Sequence, residues 1–248
     1  MRKFGLIGKT LKHSFSGKYF GEKFEKENID DCAYELFELA DISEFSKLIN
    51  AHKGELKGLN VTIPYKKEVM AYLDELDSIA ERIGAVNVVK INSDGKLKGF
   101  NSDYYGFRSS LESWLGRHTN LKALILGTGG ASNAVRTALE DLKIPYQYVS
   151  RSSEGNKINY DDIKQNSKII SDHQLIINTT PLGTFPDIAL KPDLPYSQLT
   201  SDHYLYDLVY NPEVTAFLAE GKSAGAKTKN GSDMLVLQAE KSWEIWNG

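Results

Sequence analysis

The sequence predicts an α/β protein of two domains, on three observations. Short apolar runs that alternate like strands are separated by stretches with helical spacing along the 248 residues. Ala123–Leu126 is apolar without interruption, as in a strand buried on both faces of a parallel sheet. That run enters Gly127-Thr128-Gly129-Gly130-Ala131 and then a helical stretch, the strand–turn–helix order of a doubly wound sheet. The length suits one large or two medium domains, and the texture of the chain changes after Asp103.

The elements follow in order. Phe4–Ile7 reads as a strand and Lys18–Asn28 as a helix with an apolar stripe at Tyr19, Phe20 and Phe24. Tyr34–Leu39 alternates like a strand. Asp41 followed by Glu44 is an N-cap pair that opens a helix over Ile42–Ala51. In Gly58–Lys67, Leu59, Val61 and Ile63 alternate with Asn60 and Thr62, and Pro64, which has no N–H to give, ends the pairing. Lys66 and Lys67 stand where a helix is expected to start and run to about Arg82. Ala85–Ile91 and Leu97–Phe100 form a hairpin around Asn92-Ser93-Asp94-Gly95. Tyr105–Leu115 reads as a helix connecting the domains. After the glycine turn come a helix over Ser132–Leu142 and strands at Tyr146–Val149, Leu175–Asn178, Leu205–Val209 and Ala226–Thr228. A helix lies near Val214–Glu220, and Asp233–Trp246 reads as an amphipathic helix. Pro181–Thr200, with four prolines, reads as a loop.

Bulk composition excludes several classes. With 41% hydrophobic and 25% charged residues the chain can bury an ordinary core. A net charge of −3 carries no footprint for nucleic acid or an anionic membrane. No apolar run approaches membrane-spanning length, and the N-terminal strand is too short for a secretory segment. The single cysteine, Cys32, rules out an intrachain disulfide. A cytoplasmic protein is the expectation. His13, His52, His118, His173 and His203 show no metal-ligand spacing, so no metal is expected. His13 is read as orienting the serine turn beside it and the other four as surface residues. Trp114, Trp243 and Trp246 are read as packing groups.

Three constellations carry chemistry. Gly127 permits a sharp turn, and Gly129 and Gly130 let backbone N–H groups approach a pyrophosphate at a helix N-terminus, where the dipole favours an anion. The third glycine of the dinucleotide fingerprint falls at Ser132, so the fingerprint is incomplete. At the next strand end, where an NAD site wants a carboxylate for the ribose hydroxyl, stand Ser150, Arg151 and Ser152. A guanidinium there suits a 2′-phosphate, hence NADP, although two plain surface hydroxyls and an arginine would look the same. Lys66 and Asp103, each at a strand-to-helix junction, suit a carbonyl–alcohol redox step: an ammonium protonates the developing alkoxide and a carboxylate positions a hydroxyl and the lysine. Spacing alone leaves two unrelated surface charges as the alternative. Lys67 is read as a solvated neighbour.

Eight ordered motifs then resemble one family. They are His13-Ser14-Phe15-Ser16, Asn60-Val61-Thr62-Ile63-Pro64-Tyr65-Lys66, Gly84-Ala85-Val86-Asn87, Asn101-Ser102-Asp103, Gly127-Thr128-Gly129-Gly130-Ala131, Asn178-Thr179-Thr180-Pro181-Leu182-Gly183, Asp207 to Thr215, and Met234-Leu235-Val236-Leu237-Gln238-Ala239. In this order, over nearly the whole chain, they resemble the shikimate dehydrogenases.

The resemblance implies reversible NADPH-dependent reduction of 3-dehydroshikimate to shikimate, in the chorismate and aromatic amino acid pathway. It implies that Lys66 and Asp103 are the catalytic pair and that Ser14 and Ser16 hold the substrate carboxylate. Asn60, Thr62, Asn87, Tyr210 and Gln238 would bind the ring hydroxyls. Gly127, Thr128, Gly129, Gly130, Ala131, Ser150, Arg151, Ser152 and Thr179 would hold the cofactor, with Leu208, Gly231 and Met234 near the nicotinamide. Gln238 on the last helix implies that the C-terminus returns to the first domain. The expected organisation is therefore a substrate-binding α/β domain of residues 1–103 plus 233–248, a Rossmann-like NADP domain of residues 104–232, and a cleft between them. A monomer or homodimer is expected. Gly17, Thr128, Ser150, Ser152, Glu154 and Thr184 depart from the usual family residues, more at cofactor than at substrate motifs. An NAD-using quinate/shikimate relative, or a non-catalytic shikimate binder, stays open.

Overall fold

The computed structural model describes residues 1–12, 14–116 and 120–248. His13 and His118 lie outside the described residues. The elements run β1 (Arg2–Gly8), α1 (Phe15–Lys26), β2 (Cys32–Glu38), α2 (Phe45–Ala51), β3 (Leu56–Val61), β4 (Glu75–Leu76), α3 (Ser78–Ile83), β5 (Val88–Ile91), β6 (Leu97–Phe100) and α4 (Ser102–Leu115). Then come β7 (Ala123–Leu126), α5 (Gly130–Asp141), β8 (Tyr146–Ser150), β9 (Lys157–Asn159), α6 (Tyr160–Gln165), α7 (Lys168–Asp172), β10 (Leu175–Asn178), β11 (Tyr204–Asp207), α8 (Ala216–Ser223), β12 (Lys227–Lys229) and α9 (Ser232–Asn247). The chain divides into two units, Met1–Tyr105 with Gln238–Gly248, and Gly106–Leu237. Both divisions fall inside continuous helices, α4 and α9, rather than in loops.

The sheet of the first unit has the order β2-β1-β3-β5-β6-β4. β1 is parallel to β2 and β3, while β3–β5 and β5–β6 are antiparallel. The β5–β6 hairpin closes through Asn92–Gly95 as the turn residues demand. One core cluster joins Phe45, Leu59, Val69 and Val89. A second joins Phe4, Phe20, Phe24 and Val88 to Ala239 and Trp246 of α9. Each such side chain, fully buried, contributes about 1.5–3 kcal/mol. Trp246 also donates its indole N–H to the carbonyl of Val89 at 3.1 Å, so α9 is fixed by a hydrogen bond as well as by packing.

The sheet of the second unit is parallel throughout, in the order β12-β11-β10-β7-β8-β9. Numbered within the unit this is 3-2-1-4-5-6, the doubly wound arrangement, whose switch point lies between β7 and β10. Leu124, Leu126, Ile176 and Leu205 face α6, α7 and α8 through Ile163, Ile170, Phe217 and Leu218. The other parity meets α4: Phe107 and Trp114 pack edge-on against Tyr206, and Tyr206 donates to Ser110 at 2.9 Å.

Several elements differ from the sequence reading. The helix expected from Lys66 to Arg82 is absent. A 3₁₀ turn at Glu68–Tyr72 leads into β4 and then α3, capped by Asp77. The cause is tertiary pairing: Asp74 and Asp77 give their N–H groups to Leu97 and Gly99 of β6, and the Asp74 carboxylate accepts from Leu97 N–H at 2.7 Å. α1 and α4 start three residues earlier than expected, on the caps Ser14 and Asn101. Glu44 reaches back to Ala40 N–H rather than completing a box with Asp41. β9 was not expected, since three residues leave no period to read. His203 is not a surface residue: it is buried, its Nδ1 facing Thr200 N–H and its Nε2 the carbonyl of Ile170. Burial and the Asp31 carboxylate push the Cys32 thiol up to about 11, so it stays protonated. No described helix is long and apolar enough to cross a membrane.

Candidate functional site

The first unit gathers a polar site at one end of β1, β3, β5 and β6. Lys66 Nζ and Asp103 Oδ2 are 2.6 Å apart, 37 residues apart in sequence. Their side chains are 27% and 16% exposed, so the pair is shielded yet reachable. Two local structures bring them together. The turn after β3 is anchored by Val86 N–H on the Lys66 carbonyl at 2.7 Å. Asp103 sits in the first turn of α4, where the helix dipole favours a carboxylate, and Asn101 caps that helix by accepting from Tyr104 N–H. Lys67, the adjacent lysine, is exposed. β3 ends at Val61, so strand parity does not extend to Lys66, and the turn sends the two lysines apart instead.

Behind the pair runs a continuous buried hydrogen-bond network. Ser102 gives its backbone N–H to Asn87 Oδ1 at 2.6 Å, and Asn87 Nδ2 donates to Ser102 Oγ at 3.1 Å. Ser102 Oγ also meets Gln238 Oε1 at 3.3 Å and Ser242 Oγ at 3.2 Å. Asn60 Nδ2 donates to Ser242 Oγ at 3.0 Å, and Tyr34 donates to Asn60 Oδ1 at 2.8 Å. Burial holds the Tyr34 phenol well above its usual range, so it remains a neutral donor, and the Ser16 hydroxyl lies against it. Ser14 Oγ caps α1 by accepting from Gly17 N–H, and the first turn of α1 carries no acidic residue. That helix start therefore presents two serine hydroxyls and the positive end of the dipole with no acidic side chain in its first turn, which suits a carboxylate. Thr62 is half-buried at the end of β3.

Six of the residues named from sequence thus fall in one unit with Lys66 and Asp103: Asn60, Asn87 and Gln238 lie in this network, Ser16 lies against Tyr34, Ser14 caps α1 and Thr62 follows β3, whereas Tyr210 belongs to the second unit and is 41% exposed. Tyr34, Ser102 and Ser242 were not singled out. Ser102 lay inside a quoted motif, but a tyrosine in an ordinary strand and a serine on a helix give no sequence signal of their own. Asn60 is more committed than expected: both amide hydrogens and one lone pair are used inside the protein.

The second unit holds the other group at its switch point. Gly127 adopts φ +103°, and a Cβ there would stand 2.9 Å from Thr180 Cγ2 and 3.0 Å from Thr179 Oγ1. Gly129 is the N-cap of α5 and makes no side-chain cap bond, so no side chain of the cap covers the start of the helix. Around Gly129 and Gly130 a Cβ would meet only open space. This is room for a phosphate at a helix N-terminus, and it fits the pyrophosphate of a dinucleotide. Thr128 is exposed and Ala131 half-buried beside them. Ser150 ends β8, with Arg151 and Ser152 exposed just beyond, and Thr179 is tied to the end of β7 through its hydroxyl on the Leu126 carbonyl at 2.7 Å. Among the described residues no cluster of side chains could hold a metal ion.

Leu208, Gly231 and Met234 lie near one another in the same unit. Gly231 N–H donates to the carbonyl of Val209 at 3.2 Å, and a Cβ on Gly231 would stand 2.2 Å from the carbonyl oxygen of Leu208. Backbone cannot yield there as a side chain would. Gly231→Ala is expected to lower stability by about 1–3 kcal/mol, the cost of overpacking. Urea unfolding checks it, and an unchanged midpoint would show that the two segments can separate freely.

Asp207, at the end of β11, fixes the adjoining loops. Its carboxylate accepts from Asn178 Nδ2 at 2.9 Å, Val209 N–H at 3.0 Å and Thr215 Oγ1 at 2.6 Å. Burial nevertheless outweighs these bonds and raises its pKa to about 6. The native state then holds a proton that the unfolded chain has released between about pH 4 and pH 6, so stability falls as pH rises through that window, by about 3 kcal/mol in all. Asp207→Asn is expected to flatten this slope. Parallel pH profiles of the melting temperature for the two proteins would refute it.

Residues 6–89 match the family described as "Shikimate dehydrogenase substrate binding domain". The chain is 41% identical over 256 aligned positions to the shikimate dehydrogenase (NADP(+)) of Clostridium beijerinckii, covering 99% of this chain and 92% of that one. It is 39% identical to shikimate dehydrogenase 1 of Peptoclostridium difficile, whose crystal structure superposes with a TM-score of 0.82 over all of this chain and 92% of that one. At 28% identity, the structure of shikimate 5-dehydrogenase from Thermus thermophilus in complex with NADP(H) and shikimate gives a TM-score of 0.86 and covers 100% of this chain and 94% of that one. Identity of this extent, carried along both units, places the chain in the shikimate dehydrogenase family of oxidoreductases that act on a CH–OH group.

Proposed function

We propose that this chain reduces 3-dehydroshikimate reversibly to shikimate with NADPH, and that Lys66 and Asp103 carry the proton chemistry. The observation that supports this reading is the shielded 2.6 Å contact between the two side chains. Bound NADPH supplies the hydride. As charge develops on the carbonyl oxygen, the Lys66 ammonium stabilises it and delivers a proton. Asp103 holds the ammonium in place and accepts from a neighbouring substrate hydroxyl. In the reverse direction the neutral amine takes the proton back.

The remaining assignments follow from chemistry. The substrate carboxylate sits at the start of α1, on Ser14 and Ser16. Asn87, Gln238 and Thr62, with the free lone pair of Asn60 and the phenol of Tyr210, bind the ring hydroxyls. The buried network keeps the first of these side chains in fixed rotamers before substrate arrives, which lowers the ordering cost of binding. The pyrophosphate occupies the start of α5 at Gly127–Ala131, Thr179 borders it, and Arg151 with Ser150 and Ser152 takes the ribose 2′-phosphate. Leu208, Gly231 and Met234 flank the nicotinamide.

The direct test is spectrophotometric: shikimate and NADP⁺ with the purified chain, followed by the growth of NADPH absorbance. Quinate and NAD⁺ complete a panel of four combinations. Turnover fastest with shikimate and NADP⁺ is expected. Faster turnover of quinate with NAD⁺ would replace the proposal by the NAD-using alternative, and shikimate binding without turnover would replace it by a silent binder.

A further inference from the structure

The first unit contains a cavity of about 960 Å³ at the opposite end of β3 and β5 from Asn60 and Asn87. It is bounded by the end of α2, the start of β3, the β5–β6 turn and the end of α9. Lys57 and Asn60 are three residues apart on β3, about 10 Å, so the cavity is separate from the site of Lys66. Its volume lies in the range of ligand sites, about 300–1,000 Å³.

The lining has two characters. Leu56 and Trp246, both buried, provide an apolar floor. Lys53, Lys57 and Lys90 stand around it. None of the three forms an ion pair with a carboxylate side chain among the described residues. Lys57 Nζ donates to the carbonyl of Gly54 at 2.8 Å, whereas Lys90 Nζ lies 3.1 Å from the terminal carboxyl oxygen of Gly248. The Lys53 ammonium has no partner among the described residues. Elsewhere Lys3, Lys23, Lys164 and Lys191 sit against carboxylates. The acid in the lining, Asp94, is turned to the Lys96 backbone N–H. Lys53 and Lys57, neither of them on a carboxylate, stand beside an aromatic floor and, in a chain of net charge −3, form a locally cationic and apolar concavity.

We infer that this cavity is a second binding site, for a small organic anion with an apolar ring: the ring lies against Trp246 and Leu56, and the carboxylate or phosphate meets Lys53 and Lys57. The inference does not depend on the reaction proposed above.

The test uses the full chain labelled with ¹⁵N and titrated with phenyl phosphate, reading the Trp246 indole N–H and the backbone amides of Lys57 and Gly95. Benzylamine, of like size and opposite charge, is the control, and saturating NADP⁺ and shikimate fill the other anion sites. Phenyl phosphate is expected to shift these signals, and benzylamine to leave them in place. The double variant Lys53→Gln, Lys57→Gln is expected to weaken binding about tenfold or more, the size of one lost charged hydrogen bond, with unchanged turnover of shikimate without phenyl phosphate. The single variant Lys53→Gln provides the same comparison should the double variant fold poorly. Shifts confined to other parts of the chain, equal response to benzylamine, or undiminished affinity in the variants would overturn the inference.

Discussion

Lys66→Ala is expected to lower kcat for shikimate oxidation about 10²–10⁴-fold with little change in KM, the loss typical of removing a general acid–base. Three features set this expectation. The ammonium is 2.6 Å from Asp103 Oδ2 and partly shielded from water, so its charge acts at short range. The carboxylate of Asp103 stays in place without it, because α4 and its Asn101 cap hold that residue. Substrate binding survives, because the start of α1 and the Asn87–Ser102–Gln238 network do not pass through Lys66. Lys67→Ala is the matched control. Its side chain is exposed, and its loss should leave turnover within about twofold, as for surface changes of about 0.5 kcal/mol or less. Steady-state kinetics of the two variants decide the matter: near-normal kcat in Lys66→Ala, or a large loss in Lys67→Ala, removes Lys66 from the chemistry.

The second large effect concerns cofactor choice. Arg151→Ala is expected to raise KM for NADPH about 10- to 100-fold and to leave KM for NADH nearly unchanged, since a charge-assisted bond to the 2′-phosphate contributes about 1.5–3 kcal/mol. Arg151 is exposed at the end of β8, and no carboxylate occupies the position that would favour a free ribose hydroxyl. Lys157, on the neighbouring strand β9, pairs in register with Tyr148, two residues before Ser150. In the proposed reading Arg151 would therefore carry the discrimination with the two hydroxyls of Ser150 and Ser152. Proportional loss with both cofactors would argue that Arg151 only supports the fold of the loop.

Some features were legible because local chemistry decides them. Ala123–Leu126, Leu175–Asn178 and Leu97–Phe100 are strands in the structure with the bounds read from sequence, since uninterrupted or alternating apolar residues between turn signals leave few choices. The glycine turn was legible because Gly127 occupies a positive φ that other residues rarely adopt. The segment after Lys67 was misread for the opposite reason. Its residues tolerate a helix, but Asp74 and Asp77 find partners on β6, remote in sequence, and those bonds decide. His203 was misread because a histidine buried by backbone partners at Thr200 and Ile170 has no sequence mark.

By itself, the sequence determined the α/β class, the succession of strands and helices, the glycine turn and the identity of Lys66, Asp103 and Arg151 as the groups to test. The class, the succession of elements and the glycine turn rest on side-chain type, spacing or backbone freedom, which are local properties, whereas the three groups to test rest also on the resemblance carried by the eight ordered motifs. Only the tertiary structure decided the 2.6 Å meeting of Lys66 with Asp103, the exposure of Lys67, and the buried network through Tyr34, Asn60, Ser102 and Ser242. It also decided the lysine-lined cavity at the far end of β3. These depend on strand register and on the return of α9 to β3 and β5, contacts between residues up to 182 positions apart that no local pattern encodes.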